Sequence, residues 1–240
     1  MEFHVFETGR AACEAAGVLI AAQVTRKGDS VLGLATGSTP IPAYEQLVSW
    51  YDQGIIDFSR VRTFNLDEYV GIDEKNPLSY HAFMHEHLFD RVNLRPENIH
   101  LPSGHAAADG LAYDEAIRAA GGIDIQLLGI GRNGHIGFNE PAKEFTFGTH
   151  VVTLTQDTIE ANARFFASPD EVPRQAISMG IGNIMHARCI VLVATGEAKA
   201  EAVYRMIRGP VTPECPASVL QLHPCCVVLV DRGAAKLMND

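Results

Sequence analysis

The segment from Asp124 to Pro141, DIQLLGIGRNGHIGFNEP, sets His135 among glycines, with Asn133 two residues before it and Glu140 five residues after it. A carboxylate that folds back onto an imidazole fixes its tautomer and raises its basicity, which is the pairing proton transfer uses. The same stretch reads Gly129-x-Gly131-x-x-Gly134 after an apolar run, the spacing of a dinucleotide fingerprint. A dinucleotide site needs a helix straight after the last glycine and an acid about 20 positions on. Pro141 breaks any such helix, and position 154 is leucine. The glycine spacing is coincidental, and acid–base chemistry through His135 and Glu140 is the reading that remains.

Two further stretches carry reactive groups. In TFNLDEYVG, Asp67 and Glu68 close an apolar run, and strand alternation turns one carboxylate toward a cleft and the other away. A partly desolvated carboxylate there is a general base, and the plain alternative is an acid capping the next turn. In LATGSTPIPAYEQL, the residues Thr36, Gly37, Ser38 and Thr39 lie between a strand and a helix that Pro40 and Pro42 introduce. Backbone N–H groups at a helix start, with hydroxyls beside them, hold an anion such as phosphate, unless the stretch is merely a cap and turn. It is not a P-loop, because no Gly-Lys-Ser/Thr follows. Arg164 in EANARFF and Lys199 in TGEAKAEA are cations that follow strands and so can converge on one anion, although surface lysines and arginines are solvated by default. Lys199, at a glycine-marked strand-to-helix junction, is the better candidate. His81 and His85 stand one helical turn apart without a third ligand of metal-binding spacing, which favours an ordinary helix face and no metal. The pair Cys225 and Cys226 lies in an apolar strand and is explained by packing.

These groups must be positioned by the elements around them. Strand-like and helix-like segments alternate from FHVFET to CCVVLVD, without linker, repeat or low-complexity tract. Runs such as SVLGLA, DIQLLGIG and RCIVLVAT are continuously apolar, which implies strands buried on both faces. The expected fold is α/β: a single-domain, Rossmann-like three-layer sandwich with a mainly parallel sheet, spanning residues 1–240. Ligands in such folds bind beyond the carboxyl ends of the strands, where all three stretches fall.

Composition narrows the class. The 240 residues are 47% hydrophobic and 20% charged, ordinary values for a globular domain. Nineteen Lys and Arg against 29 Asp and Glu give a net charge of −10, which argues against nucleic acid as a partner. No apolar run approaches a membrane span, and the opening MEFHVFETGR has no signal-peptide character, so a cytoplasmic protein is expected. Five cysteines without a C-x-x-C pair suit reduced thiols rather than disulfides or zinc.

The motifs GLATGSTP, TFNLDEYVG, SYHAFMHEHLFD, GIGRNGHIGFNEP, LTQDTIEANARFF, AISMGIGNIM and LQLHP resemble, in order and spacing, those of the glucosamine-6-phosphate deaminase family from Phe3 to Asp231. The resemblance implies an enzyme of amino-sugar catabolism that needs neither metal nor organic cofactor. It would convert glucosamine 6-phosphate and water into fructose 6-phosphate and ammonia, an aldose–ketose isomerisation coupled to deamination. By resemblance, the phosphate lies on Thr36, Gly37, Ser38 and Thr39, with Arg164 and Lys199 neutralising it. His135, oriented by Asn133 and Glu140, moves the proton that opens the sugar ring, and Asp67 carries a proton from C2 to C1. A lid is expected at about 154–177. Asn133 stands where many members have Asp, which removes one negative charge from the relay. Residues after FNEP read AKEFTFGTHVVTL, without the basic residues of the allosteric, hexameric members, and the chain stops at KLMND. A monomer without activation by N-acetylglucosamine 6-phosphate is therefore expected. Two rivals remain: a 6-phosphogluconolactonase, which would show S-L-F-P after the G-H loop, and a non-catalytic sugar-phosphate sensor, which would carry a helix-turn-helix and tend to lose the acid–base set.

Overall fold

The computed structural model describes residues 1–103, 109–163, 166, 168 and 171–238, and of Asp109 the backbone alone. The continuous apolar runs form a seven-stranded sheet whose paired neighbours are all parallel. Its strands are β1 (Glu2–Phe6), β2 (Val31–Leu34), β3 (Arg62–Asn65), β5 (Ile99–His100), β6 (Ile125–Leu128), β9 (Cys189–Ala194) and β10 (Cys226–Asp231), in the order β1-β10-β9-β6-β2-β3-β5. VLGL of β2 and IQLL of β6 are buried at every position, as strands covered on both faces must be. The chain climbs outward from β2 through β3 to β5, then returns to β6 on the other side of β2. The strand order thus reverses between β2 and β6, and the loops leaving these two strands diverge to open a crevice.

Helices flank the sheet. Helix α1 (Gly9–Arg26) is capped by Thr8, whose hydroxyl accepts the Ala11 N–H, and its small residues let it lie close to α2 (Ile41–Asp52). Gly17 lies at this contact, where a Cβ would make a tight 3.2 Å approach to the Ala43 carbonyl oxygen. The remaining helices are α3 (Tyr80–His87), α4 (Asp109–Ala119), α5 (Gln156–Asn162), α6 (Ile181–Met185) and α7 (Ala200–Arg208). None of the described helices is long and apolar enough to cross a membrane.

One feature departs from the single sheet expected. Three short strands, β4 (Asp67–Tyr69), β7 (His150–Thr153) and β8 (Gln175–Ser178), form a separate antiparallel sheet in the order β4-β8-β7. Asp67 therefore does not end a strand of the main sheet. It begins β4, separated from β3 by Leu66 alone, which still donates its N–H to the Leu34 carbonyl. The small sheet covers its own apolar cluster of Tyr69, Phe138, Leu154, Ile159, Val172 and Ala176. The cysteines are unpaired among the described residues: Cys226 is buried in β10, and Cys225 is exposed just before it.

Candidate active site

A cleft of about 460 Å³ opens at the strand-order reversal. The loop after β2 supplies Thr36, Gly37, Ser38 and Thr39, the loop after β6 supplies His135, β4 supplies Asp67, and Lys199 enters from the segment after β9. Gly37 holds φ at +91°, which turns the chain between β2 and α2. Gly196 likewise has φ +86°, and its N–H is held by the Asp231 carboxylate at the end of β10, which fixes the turn leading to Lys199. Arg164 lies outside the described residues.

The two neighbouring carboxylates separate as strand alternation requires. Glu68 turns from the cleft and accepts the backbone N–H groups of Tyr69, Tyr80 and His81 at 2.9, 3.0 and 2.9 Å, closing the first turn of α3. That is the capping role left open for this pair, and it belongs to Glu68. Asp67 lines the cleft at 7% exposure. Burial, helped by the charge of Glu68, pushes its pKa up to about 8.

His135, Asn133 and Glu140 form one network. His135 Nδ1 lies 3.4 Å from Glu140 Oε2, and the Asn133 amide donates to the same oxygen at 2.7 Å. Asn133 Oδ1 accepts the backbone N–H of His135 at 3.1 Å. Asn133 makes no hydrogen bond to the imidazole itself, although the resemblance implies that it orients the ring. It holds the backbone of His135 on one side and the carboxylate on the other, and an aspartate in its place has no N–H to give Glu140. Burial works to raise the Glu140 pKa. The hydrogen bond and charge of His135, with donors from Thr158 and Asn133, outweigh it and hold the group at about 2. Gly131 is explained here too: a Cβ would stand 2.3 Å from His135 Cε1, so the imidazole lies where only glycine leaves room. The glycine spacing serves a histidine and not a nucleotide.

Sequence reasoning missed two participants. Tyr80 borders the cleft, its ring 4.9 Å from that of Tyr69, and Thr158 on α5 reaches both Glu140 and His135. No short-range spacing signals Thr158, which reaches residues 18 and 23 positions away, whereas Tyr80 packs on Tyr69 only 11 positions before it. The rings of the histidine pair of α3 lie 4.6 Å apart, tilted by 31°, and His85 bonds Asp90. No group of three metal-ligating side chains occurs among the described residues.

Comparison with known proteins places the chain among its relatives. Residues 7–228 match the family model described as glucosamine-6-phosphate isomerases/6-phosphogluconolactonase. Glucosamine-6-phosphate deaminase of Clostridioides difficile (strain 630) is 54% identical over 227 residues, covering 93% of this chain and 91% of that one. The solved structure of a monomeric glucosamine-6-phosphate deaminase superposes with a TM-score of 0.96 at 42% identity, over 99% of this chain and 100% of that one. A 6-phosphogluconolactonase from Shewanella baltica OS155 shares the fold alone, with a TM-score of 0.76 at 21% identity over 96% of this chain and 97% of that one. The chain belongs to the glucosamine-6-phosphate deaminase family.

Proposed function

We propose that this protein converts glucosamine 6-phosphate and water into fructose 6-phosphate and ammonia. The observation that carries the reading is the pairing of a buried, high-pKa carboxyl, Asp67, with an independent His135–Glu140 pair across one cleft. Two proton transfers at different atoms need two groups whose environments push their affinities apart.

The phosphate would sit on the loop of Thr36, Gly37, Ser38 and Thr39, with Lys199 and, by family resemblance, Arg164 balancing its charge. Glu140 engages Nδ1 of His135 and leaves Nε2 to carry the proton that opens the ring. Asp67, as carboxylate, then takes the C2 proton of the open-chain aldehyde. The electron pair forms a C1–C2 enolamine, and return of the proton to C1 leaves a C2 imine. Water adds at C2 and ammonia departs. Lactone hydrolysis has no use for a base at C2, so Asp67 speaks against that rival, and the intact acid–base set speaks against a silent sensor. The stretch at about 154–177 would act as the lid. Helix α5 supports this, because Asp157, Thr158, Ala161 and Asn162 border the cleft. We place the enzyme in the cytoplasm, where phosphorylated sugars are found.

We further infer a monomer with no N-acetylglucosamine 6-phosphate activation. A cavity of about 360 Å³ behind Glu140 is bordered by Glu140, Glu144 and His150, with no Lys or Arg among its described lining residues. Such a lining repels a phosphate. The test is turnover of glucosamine 6-phosphate, followed as fructose 6-phosphate by a coupled assay with and without the acetylated sugar. Hyperbolic kinetics unchanged by the acetylated sugar are expected. Binding without turnover would overturn the reaction, and activation would overturn the unregulated reading.

A further inference from the structure

Thr158 is 2% exposed and lies on α5, an element that reaches the relay from the small-sheet side of the cleft. Its hydroxyl donates to Glu140 Oε1, while the other carboxylate oxygen receives Asn133 and faces His135. A threonine has one proton to give. The Thr155 hydroxyl lies 3.2 Å away and donates to Thr158 Oγ1, which commits the Thr158 proton to Glu140. The second lone pair of Thr158 Oγ1 stands 3.5 Å from His135 Nδ1, so the imidazole N–H is flanked by the threonine and the carboxylate together. One residue earlier, Asp157 pairs with Arg132 of the His135 loop at 2.7 Å. Helix α5 is therefore fastened to the relay loop by an exposed ion pair and, beneath it, by a buried hydroxyl.

We propose that Thr158 is a positioning residue of the ring-opening relay, its hydroxyl holding Glu140 square to His135, so that the relay attains its working geometry only while α5 is docked. The proposal rests on the function proposed above. A hydroxyl supplied by a separate element ties proton transfer to the docking of that element, since a carboxylate that loses one of its donors is free to rotate away from the imidazole. Exposed ion pairs contribute little on their own, which leaves the buried contact as the one that sets orientation.

The test uses Thr158→Val, which keeps the shape and removes the hydroxyl, and Thr158→Ser, which keeps the hydroxyl. General acid–base groups contribute about 10²–10⁴ in rate, and loss of orientation costs a part of that. Thr158→Val should lower kcat about tenfold, and Thr158→Ser should restore most of it. Affinity for 2-amino-2-deoxyglucitol 6-phosphate, an analogue with no ring to open, should stay within about twofold in both. Wild-type kcat in Thr158→Val overturns the proposal. So does equal impairment of the valine and serine variants, or a loss of affinity matching the loss of kcat, since each marks a packing role. Should the valine variant not fold, Thr158→Ala replaces it, and equal kcat in the alanine and serine variants overturns the proposal. Absence of turnover in the wild-type protein instead refutes the underlying reaction, and the two failures are distinguishable.

Discussion

The main parallel sheet and the small antiparallel one solve different problems with different material. Strands β2, β6 and β9 are buried almost throughout, and the cluster they share with α1 and α2 runs through most of the described chain. The loops that leave this sheet, carrying Gly37 and His135, start from a frame that a side chain cannot easily disturb. The small sheet has strands of three and four residues over a cluster of six buried side chains. Few buried contacts make for a low local opening energy. The groups proposed to transfer protons straddle the boundary: Asp67 is on the small sheet, and His135 and Glu140 are on the loop after β6. On the proposed assignment, phosphate binding draws on the more extensively buried region, whereas the chemistry needs the less buried one in place.

Substitutions in the two regions should therefore differ in kind, and the largest effect falls on the small sheet. Asp67→Asn should lower kcat by about 10³, with affinity for the phosphosugar kept within a few-fold. The same variant tests the raised pKa. A carboxyl held at about 8 in the folded protein and near 4 when unfolded contributes stability at low pH and loses it as pH climbs between those values. The thermal midpoint of Asp67→Asn should thus gain on the wild type from pH 4 to about 8 and run parallel to it above. In the wild type, kcat/KM should rise with pH through that same region, because only the carboxylate of the free enzyme accepts the C2 proton.

Core deletions sharpen the contrast further. Leu192→Ala, in β9 of the main sheet, should cost about 2–5 kcal/mol of global stability by denaturant titration and leave kcat near normal at temperatures where the protein is folded. Leu154→Ala, in the small cluster, should cost less global stability yet depress kcat, with hydrogen exchange in α5 rising before that in β9. Equal exchange in both regions would break the distinction. Lys199→Ala, beside the phosphate loop of the main sheet, should raise KM about tenfold and alter kcat little, read from steady-state kinetics. The smallest change is expected from Asn133→Asp. It replaces one hydrogen-bond donor to Glu140 by a second carboxylate and should lower kcat by about threefold or less, read from steady-state kinetics.

How much of this was legible varies by distance along the chain. The parallel α/β fold was readable from SVLGLA, IQLLGIG and CIVLVAT, because burial on both faces shows directly as composition. The His135–Glu140 pair was readable as well, since five residues and a run of glycines suffice to bring the two together. Alternation alone did not separate the roles of Asp67 and Glu68: it says that they diverge, not which one meets the cleft, and only the family resemblance singled out Asp67. The antiparallel sheet escaped notice because DEY, HVVT and QAIS are short and mixed in character, and strands β4 and β8 are about a hundred residues apart. Thr158 carried no signal at all, for a threonine three residues after a capping threonine reads as an ordinary helix start.

The sequence by itself determined the elements, the switch-point loops and the local acid–base pair, all products of periodicity, glycine placement and near-neighbour spacing. Only the tertiary structure decided that Asp67 faces the cleft while Glu68 caps α3, that Asn133 serves Glu140 rather than the imidazole, and that α5 fastens onto the relay. Those outcomes depend on the pairing of β4 with β8 and on the docking of α5. Contacts of that range are selected by the packing of the whole chain, and no local window contains the energies that choose them.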